Sequence, residues 1–185
     1  MKKLFLTLLV AVSALSASAQ VYLGGEVGLW RNSDAKTTNF TIKPEIGYGL
    51  NDKWALGLVL GYQHDYKSVE LLGLKATNKV NSFIVNPYAR YTAAQFGPVS
   101  VFLDGGFGFA TSKASGADDS VNSWQVGIKP GVAVNLTKRL SFVTHVGFLG
   151  YQDGGKGTTE NAFGENGFGF NLSGNNLTFG LYYNF

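Results

Sequence analysis

Apolar and polar residues alternate along most of this chain, and the last nine residues show the pattern most clearly. Leu177, Phe179, Leu181, Tyr183 and Phe185 share one parity; Thr178, Gly180, Tyr182 and Asn184 share the other. A period of two specifies a strand with two different faces. Here one face is aromatic-rich and runs to the last residue. In water such a strand is a template for aggregation. Against acyl chains it is not, because its side chains are then in their preferred solvent. The alternation therefore predicts a sheet whose apolar face is turned outward to lipid.

The opposite end of the chain carries an export signal. Lys2 and Lys3 form a charged start, and Leu4 to Leu15 is an apolar stretch of about a dozen residues, too short to span a bilayer as a helix. Ala17-Ser18-Ala19 is an A-x-A cleavage site, so residues 1–19 are expected to be removed and residues 20–185 to form one domain. There is no cysteine, which excludes a disulfide framework and a thiolate metal site. Two of the fifteen basic residues belong to the signal, so the rest nearly balance the twelve acidic ones. The basic character says little about partners, and no Lys/Arg run points to nucleic acid.

Eight alternating segments follow: Val21 to Arg31, Phe40 to Leu50, Trp54 to about Asp65, about Ser82 to Ala93, Val99 to Thr111, about Ser123 to Leu136, Leu140 to Tyr151, and about Asn176 to Phe185. The seventh is read with Leu140, Phe142, Val146 and Phe148 outward and Ser141, His145 and Gly147 inward. Connections are expected to be short after even strands and long after odd ones. Tyr66 to Lys79, Ser112 to Val121 and the Gly/Asn-rich stretch after Tyr151 are read as the long ones, and Val69 to Leu74 as an apolar segment that extends a hairpin or forms an adhesive patch. Phe168 to Leu172 is out of phase with the last strand and is either a loop hairpin or a bulged entry to it. Together these features predict an all-β fold, an eight-stranded antiparallel up-and-down transmembrane β-barrel.

Pro44, Pro87 and Pro130 recur every 43 residues, each in an even strand a few residues before a short turn. Proline cannot donate to a ladder, and a closed barrel has no free edge to accommodate it. A bulge or a missing hydrogen bond is predicted at each.

The x-Pro strand openings, the sequence Pro87-Tyr88-Ala89-Arg90-Tyr91, the eight-strand count and the terminal Phe185 resemble the small outer-membrane β-barrel domain family, which includes OmpA-like and OmpX-like barrels and single-domain members in Bacteroidetes. The resemblance covers residues 20–185. It implies a Gram-negative outer membrane location and an assembly signal in Phe179, Leu181, Tyr183 and Phe185; unlike in full-length OmpA-type proteins, no peptidoglycan-binding domain is expected after the barrel. It also implies contact with outer-membrane lipid or lipopolysaccharide and with the barrel assembly machinery, and a host or surface ligand held by the loops. A monomer without cofactor or metal is expected.

Glu26, Lys43, Glu45, Arg90, Asp104 and Lys129 all have the inward parity, three negative and three positive. An eight-stranded barrel is just wide enough for its side chains to fill. Buried charges need partners, so a mutually neutralising network that plugs the lumen is expected. An ion or proton pathway, and hence a small pore or transporter, is the functional alternative. His145 points inward as an isolated residue. His64 lies at the outer end of the third strand, with Ser68 and Glu70 following, but not with the spacing of an outer-membrane lipid-modifying enzyme. Gly24-Gly25 and Gly106-Phe107-Gly108 precede no helix and are small inward residues rather than phosphate loops. Trp30, Trp54, Tyr62, Trp124 and Tyr151 read as interface girdles. A calcium site at Asp118-Asp119 has no supporting spacing. A soluble exported lipid-binding barrel would need the opposite assignment of faces, with Leu56, Leu58 and Leu60 inside.

Overall fold

Alternation becomes pairing: every segment is bonded antiparallel to its neighbours. The computed structural model describes residues 21–33, 36–71, 74–156, 162–164, 166–171 and 178–185. Residues 1–19, which the sequence leads one to expect as a removed signal, lie outside them. Ten strands are formed: β1 Val21–Asn32, β2 Thr37–Gly49, β3 Trp54–Leu71, β4 Leu74–Phe96, β5 Val99–Ala114, β6 Val121–Asn135, β7 Leu140–His145, β8 Phe148–Asp153, β9 Gly167–Asn171 and β10 Thr178–Asn184. β1 to β7 pair in sequence order, and β10 lies between β7 and β1, which closes the ring. β8 continues β7 along β6, and β9 pairs with β8 as β10 pairs with β7. Ten strands thus make eight staves, closed by β10 between β7 and β1 at the end that holds the termini, while β9 pairs only with β8.

The faces are assigned as the alternation requires. Leu56, Leu60, Tyr62, Phe107, Phe109, Val126, Ile128, Phe179 and Leu181 are exposed on the outside, each between 42 and 55 %. Trp54 to Tyr62 matches the roughly 9–11 residues that a tilted strand needs to cross hydrocarbon. Trp54 packs on Tyr91 at one end of this apolar belt, and Trp124 packs on Tyr151 at the other, as aromatic girdles do. The side chain of Trp30 lies outside the described residues.

Two expectations need correction. Tyr66 to Lys79 is not a long connection. β3 and β4 stay paired to Leu71↔Leu74, so only two residues join them. Their 18 and 23 residues exceed a bilayer crossing, and the surplus forms a ribbon beyond the belt. Likewise β1 and β2 pair out to Asn32↔Thr37. Polar residues in these stretches suggest a loop in the sequence, because a strand beyond the membrane has no need of an apolar outer face.

The second correction concerns stave seven. Ser141, Val143 and His145 face inward in β7, but Phe148, Gly150 and Gln152 face inward in β8, with Leu149 and Tyr151 outside. Phe148 is therefore a lumen residue. Gly131 pairs with His145 and Ile128 with Leu149, so Lys129 and Pro130 oppose the three residues Val146, Gly147 and Phe148. This bulge carries Gly147 at φ 80° and inverts the parity. The eighth stave inverts too: Phe168 and Phe170 are outside in β9, Phe179 and Leu181 in β10. That places the out-of-phase segment in the wall, paired with β8.

The bulge is one of three interruptions at the repeated prolines; a further register shift, between Thr92 and Ala94, lies away from them. Pairing of β2 with β3 skips Lys43 and Pro44, between Ile42↔Tyr62 and Glu45↔Val59. Pairing of β4 with β5 skips Asn86 and Pro87, between Val85↔Phe109 and Tyr88↔Gly106. On the other side of each strand the ladder is unbroken, as Gly25↔Pro44, Leu58↔Pro87 and Leu103↔Pro130. The missing N–H thus costs one ladder locally and always toward the following strand.

Inward aromatics near the end that holds the termini fill the lumen, and each faces a glycine across the ladder: Tyr22↔Gly47, Tyr88↔Gly57, Phe102↔Gly131 and Tyr182↔Gly24. A Cβ at Gly57 would fall within the ring of Tyr88. Gly57→Val should therefore lower the urea midpoint in detergent micelles by about 1–3 kcal/mol of stability, as overpacking does. Gly105→Val, whose Cβ meets only the Ala89 carbonyl at 4.0 Å, should leave it nearly unchanged.

Candidate functional site

The lumen is built from inward residues contributed by every stave. Near the termini Tyr22, Phe102, Val143 and Tyr182 form a buried cluster. Arg90, on β4, sits above it with its guanidinium carbon 4.1 Å from the Phe102 ring centre, 5.2 Å from Tyr88, 5.5 Å from Tyr22 and 5.8 Å from Tyr182. Cation–π attraction is strongest when the cation is desolvated, as here.

Arg90 and Asp104 are cross-strand partners. Nε donates to Asp104 Oδ1 and Nη2 to Oδ2, both at 2.7 Å, a bidentate fork. Nη2 also reaches Glu45 Oε1 at 3.4 Å. Glu45 accepts from the Tyr88 hydroxyl and, at 2.5 Å, from the Tyr182 hydroxyl. Tyr22 and Tyr88 share a hydrogen bond of 2.6 Å. Two buried carboxylates thus have one guanidinium and two phenols around them, and burial without such partners is costly.

His145 is not isolated. Its Nδ1 lies 2.8 Å from Glu26 Oε1 and its Nε2 2.8 Å from Asp104 Oδ2. An ionised carboxylate can only accept, so both ring nitrogens serve as donors between them. Thr178 Oγ1 donates to the same Glu26 oxygen at 2.9 Å, and the ring edge rests on Phe102 at 5.3 Å. One connected set of contacts therefore runs Glu26–His145–Asp104–Arg90–Glu45–Tyr88–Tyr22.

Of the six charged residues expected inside, four enter this set. Lys43 and Lys129 also face the lumen, lining together with Glu26, Glu45, Asp104 and His145 a cavity of about 370 Å³. Neither makes an ion pair within 4 Å among the described residues. The residues that sequence reasoning missed are His145 as a bridge and the phenols of Tyr22, Tyr88 and Tyr182. Their signal was present: large inward residues, three of them aromatic with an inward glycine on the next strand.

Outside the lumen, His64 Nδ1 is 2.7 Å from Asn81 Oδ1, which also accepts from Tyr62 at 2.8 Å. Ser68 Oγ has no hydrogen-bond partner, so His64 does not activate it. The side chain of Glu70 lies outside the described residues. Among the described residues no three His, Asp or Glu side chains group as a metal site, which includes Asp118-Asp119.

Replacing Arg90 by Leu strands Asp104 and Glu45 in a buried site. The variant should lose about 3–5 kcal/mol in urea unfolding in micelles, as removal of one partner of a buried pair does. Combining it with Asp104→Leu should cost less than the two changes summed, because no lone carboxylate then remains of that pair.

Three comparisons bear on the family. The model of the outer membrane protein beta-barrel domain matches residues 4–185. The crystal structure of Ail, the attachment invasion locus protein of Yersinia pestis, is similar over 89 % of this chain and 92 % of that chain, with 12 % sequence identity and a TM-score of 0.33. No curated protein sequence gives a match. With a family match over nearly the whole length, a closed eight-stave ring and an apolar outer belt, the chain belongs to the outer membrane protein beta-barrel domain family and is an outer-membrane barrel protein.

Proposed function

We propose that this protein is a monomeric barrel with an occluded polar lumen whose role is structural or surface-binding, without catalysis. The observation that carries the reading is the Arg90 knot. A guanidinium bonded to two carboxylates and ringed by four aromatics fills the lower lumen, which supports an occluded interior over an ion path. Opposite charges held in contact act as cross-links rather than as a selective ring. The pore reading predicts the contrary, an aqueous route past Arg90.

Surface binding is supported by the ribbon in which β3 and β4 outrun the membrane, together with the 154–166 connection at the same end. Its ligand would be a host or surface molecule, while lipopolysaccharide would contact the belt. Residues 1–19 act as a cleaved signal, which leaves Gln20 first. Phe179, Leu181, Tyr183 and Phe185 would be read by the assembly machinery as the last strand. The enzyme reading has little support, since His64 bonds Asn81 rather than Ser68.

The tests are direct. Carbonate-washed membranes should retain the protein, and its mass should correspond to a chain starting at Gln20. Reconstituted in planar bilayers it should give no stepwise conductance. Discrete openings whose size changes on Lys43→Glu or Lys129→Glu would favour the pore instead.

A further inference from the structure

His145 is fastened at both ends. Its Nδ1 lies 2.8 Å from Glu26 Oε1 and its Nε2 2.8 Å from Asp104 Oδ2. Glu26 is on β1 and Asp104 on β5, staves one and five of eight, so the two acids come from opposite walls; His145 is on stave seven. The three side chains form a strut across the lumen beside the cavity, with only 7 to 13 % of each side chain exposed.

A neutral imidazole has one donor, and an ionised carboxylate has none. Both contacts can therefore be made at once only by the imidazolium. The charge count pulls the other way. The groups that face His145 are Glu26 from β1, Lys43 and Glu45 from β2, Asp104 from β5, Lys129 from β6 and, through Asp104, Arg90 from β4. β10 adds Thr178, which carries no charge, and the Tyr182 phenol, which is bonded to Glu45. Three carboxylates and three cations already sum to zero, so the proton on His145 is one positive charge in excess within a confined interior. Two hydrogen bonds hold that proton, and the surplus opposes it. Among these groups imidazole is the one that ordinarily titrates near neutral pH.

The two ends do not release equally. Asp104 keeps both contacts with Arg90 if the imidazole lets go, whereas Glu26 keeps only Thr178 among the described residues. Lys43 stands directly across the ladder from Glu26, lines the same cavity and makes no ion pair within 4 Å among the described residues. We propose that His145 is a proton-operated clasp: its charged ring ties β1 to β5 across the lumen, and loss of the proton to cavity water frees the Glu26 end, which passes to Lys43. The inference does not rest on the surface role proposed above.

The test uses the full mature protein refolded in micelles with nitrogen-labelled histidine. The sequence has only two histidines, so His64→Gln assigns the signals. At about pH 6 both ring nitrogens of His145 should read as protonated, and in alkaline buffer one of them should not. Urea unfolding reads the linkage. A clasp that needs the proton makes the folded state bind more protons than the unfolded chain, whose imidazole titrates near about 6.5. Its stabilisation is therefore complete below about pH 6.5 and is lost as pH rises, at up to about tenfold in the folded-to-unfolded ratio per pH unit. His64→Gln should keep this dependence and His145→Gln should lack it. Lys43→Gln should fall further than the unmodified protein, since Glu26 then has no lysine to turn to. A His145 ring that is neutral at about pH 6, or a pH dependence that survives His145→Gln, would overturn the clasp. A Lys43→Gln profile equal to that of the unmodified protein would overturn the transfer of Glu26. Should His145→Gln fail to refold, the ring-nitrogen signals of the unmodified protein decide alone.

Discussion

The bidentate contact of Arg90 with Asp104 is the interaction on which the interior depends. An eight-stave barrel has room only for its own side chains, so what enters must pack and must be neutralised. Arg90 does both. Its fork takes Asp104 from the adjacent strand and reaches Glu45 from across the lumen, while its faces lie against aromatic rings. Arginine suits this place because its planar, weakly hydrated group bonds in its plane and stacks above and below it, which an ammonium does not.

From that contact the rest of the lumen follows in order. Asp104 turned toward Arg90 still offers an oxygen to His145, and His145 in turn holds Glu26. The two lysines opposite these acids are left facing the cavity. Buried aromatics close the lumen toward the termini, and the cavity beyond them is lined by acids, lysines and amides together. The lumen is filled at one end and hollow at the other.

The wall obeys a different constraint. In the membrane each backbone group must be paired within the protein, yet three even strands contain a proline. The repeat confines each defect to the ladder with the following strand, and at Pro130 the defect becomes a bulge that turns stave seven over. The bulge brings Phe148 inside to line the cavity beside Lys129. A backbone irregularity in the wall therefore shapes the interior.

The sequence by itself determined the barrel: eight alternating segments, the outward belt, the three proline interruptions and the inward parity of Glu26, Lys43, Glu45, Arg90, Asp104 and Lys129 were all legible, because a period of two fixes which face each side chain takes. It is misleading at Tyr66 to Lys79, since a strand beyond the membrane needs no apolar outer face, and at Phe148, since one inserted residue reverses the count. Only the tertiary structure decided who pairs with whom. Register suggests Glu26 with Lys43 and Asp104 with Lys129. The folded lumen instead joins residues up to 152 positions apart, such as Thr178 and Glu26, because the closed ring brings distant staves within hydrogen-bond reach, and a buried carboxylate bonds the donor with the best geometry rather than the nearest in register.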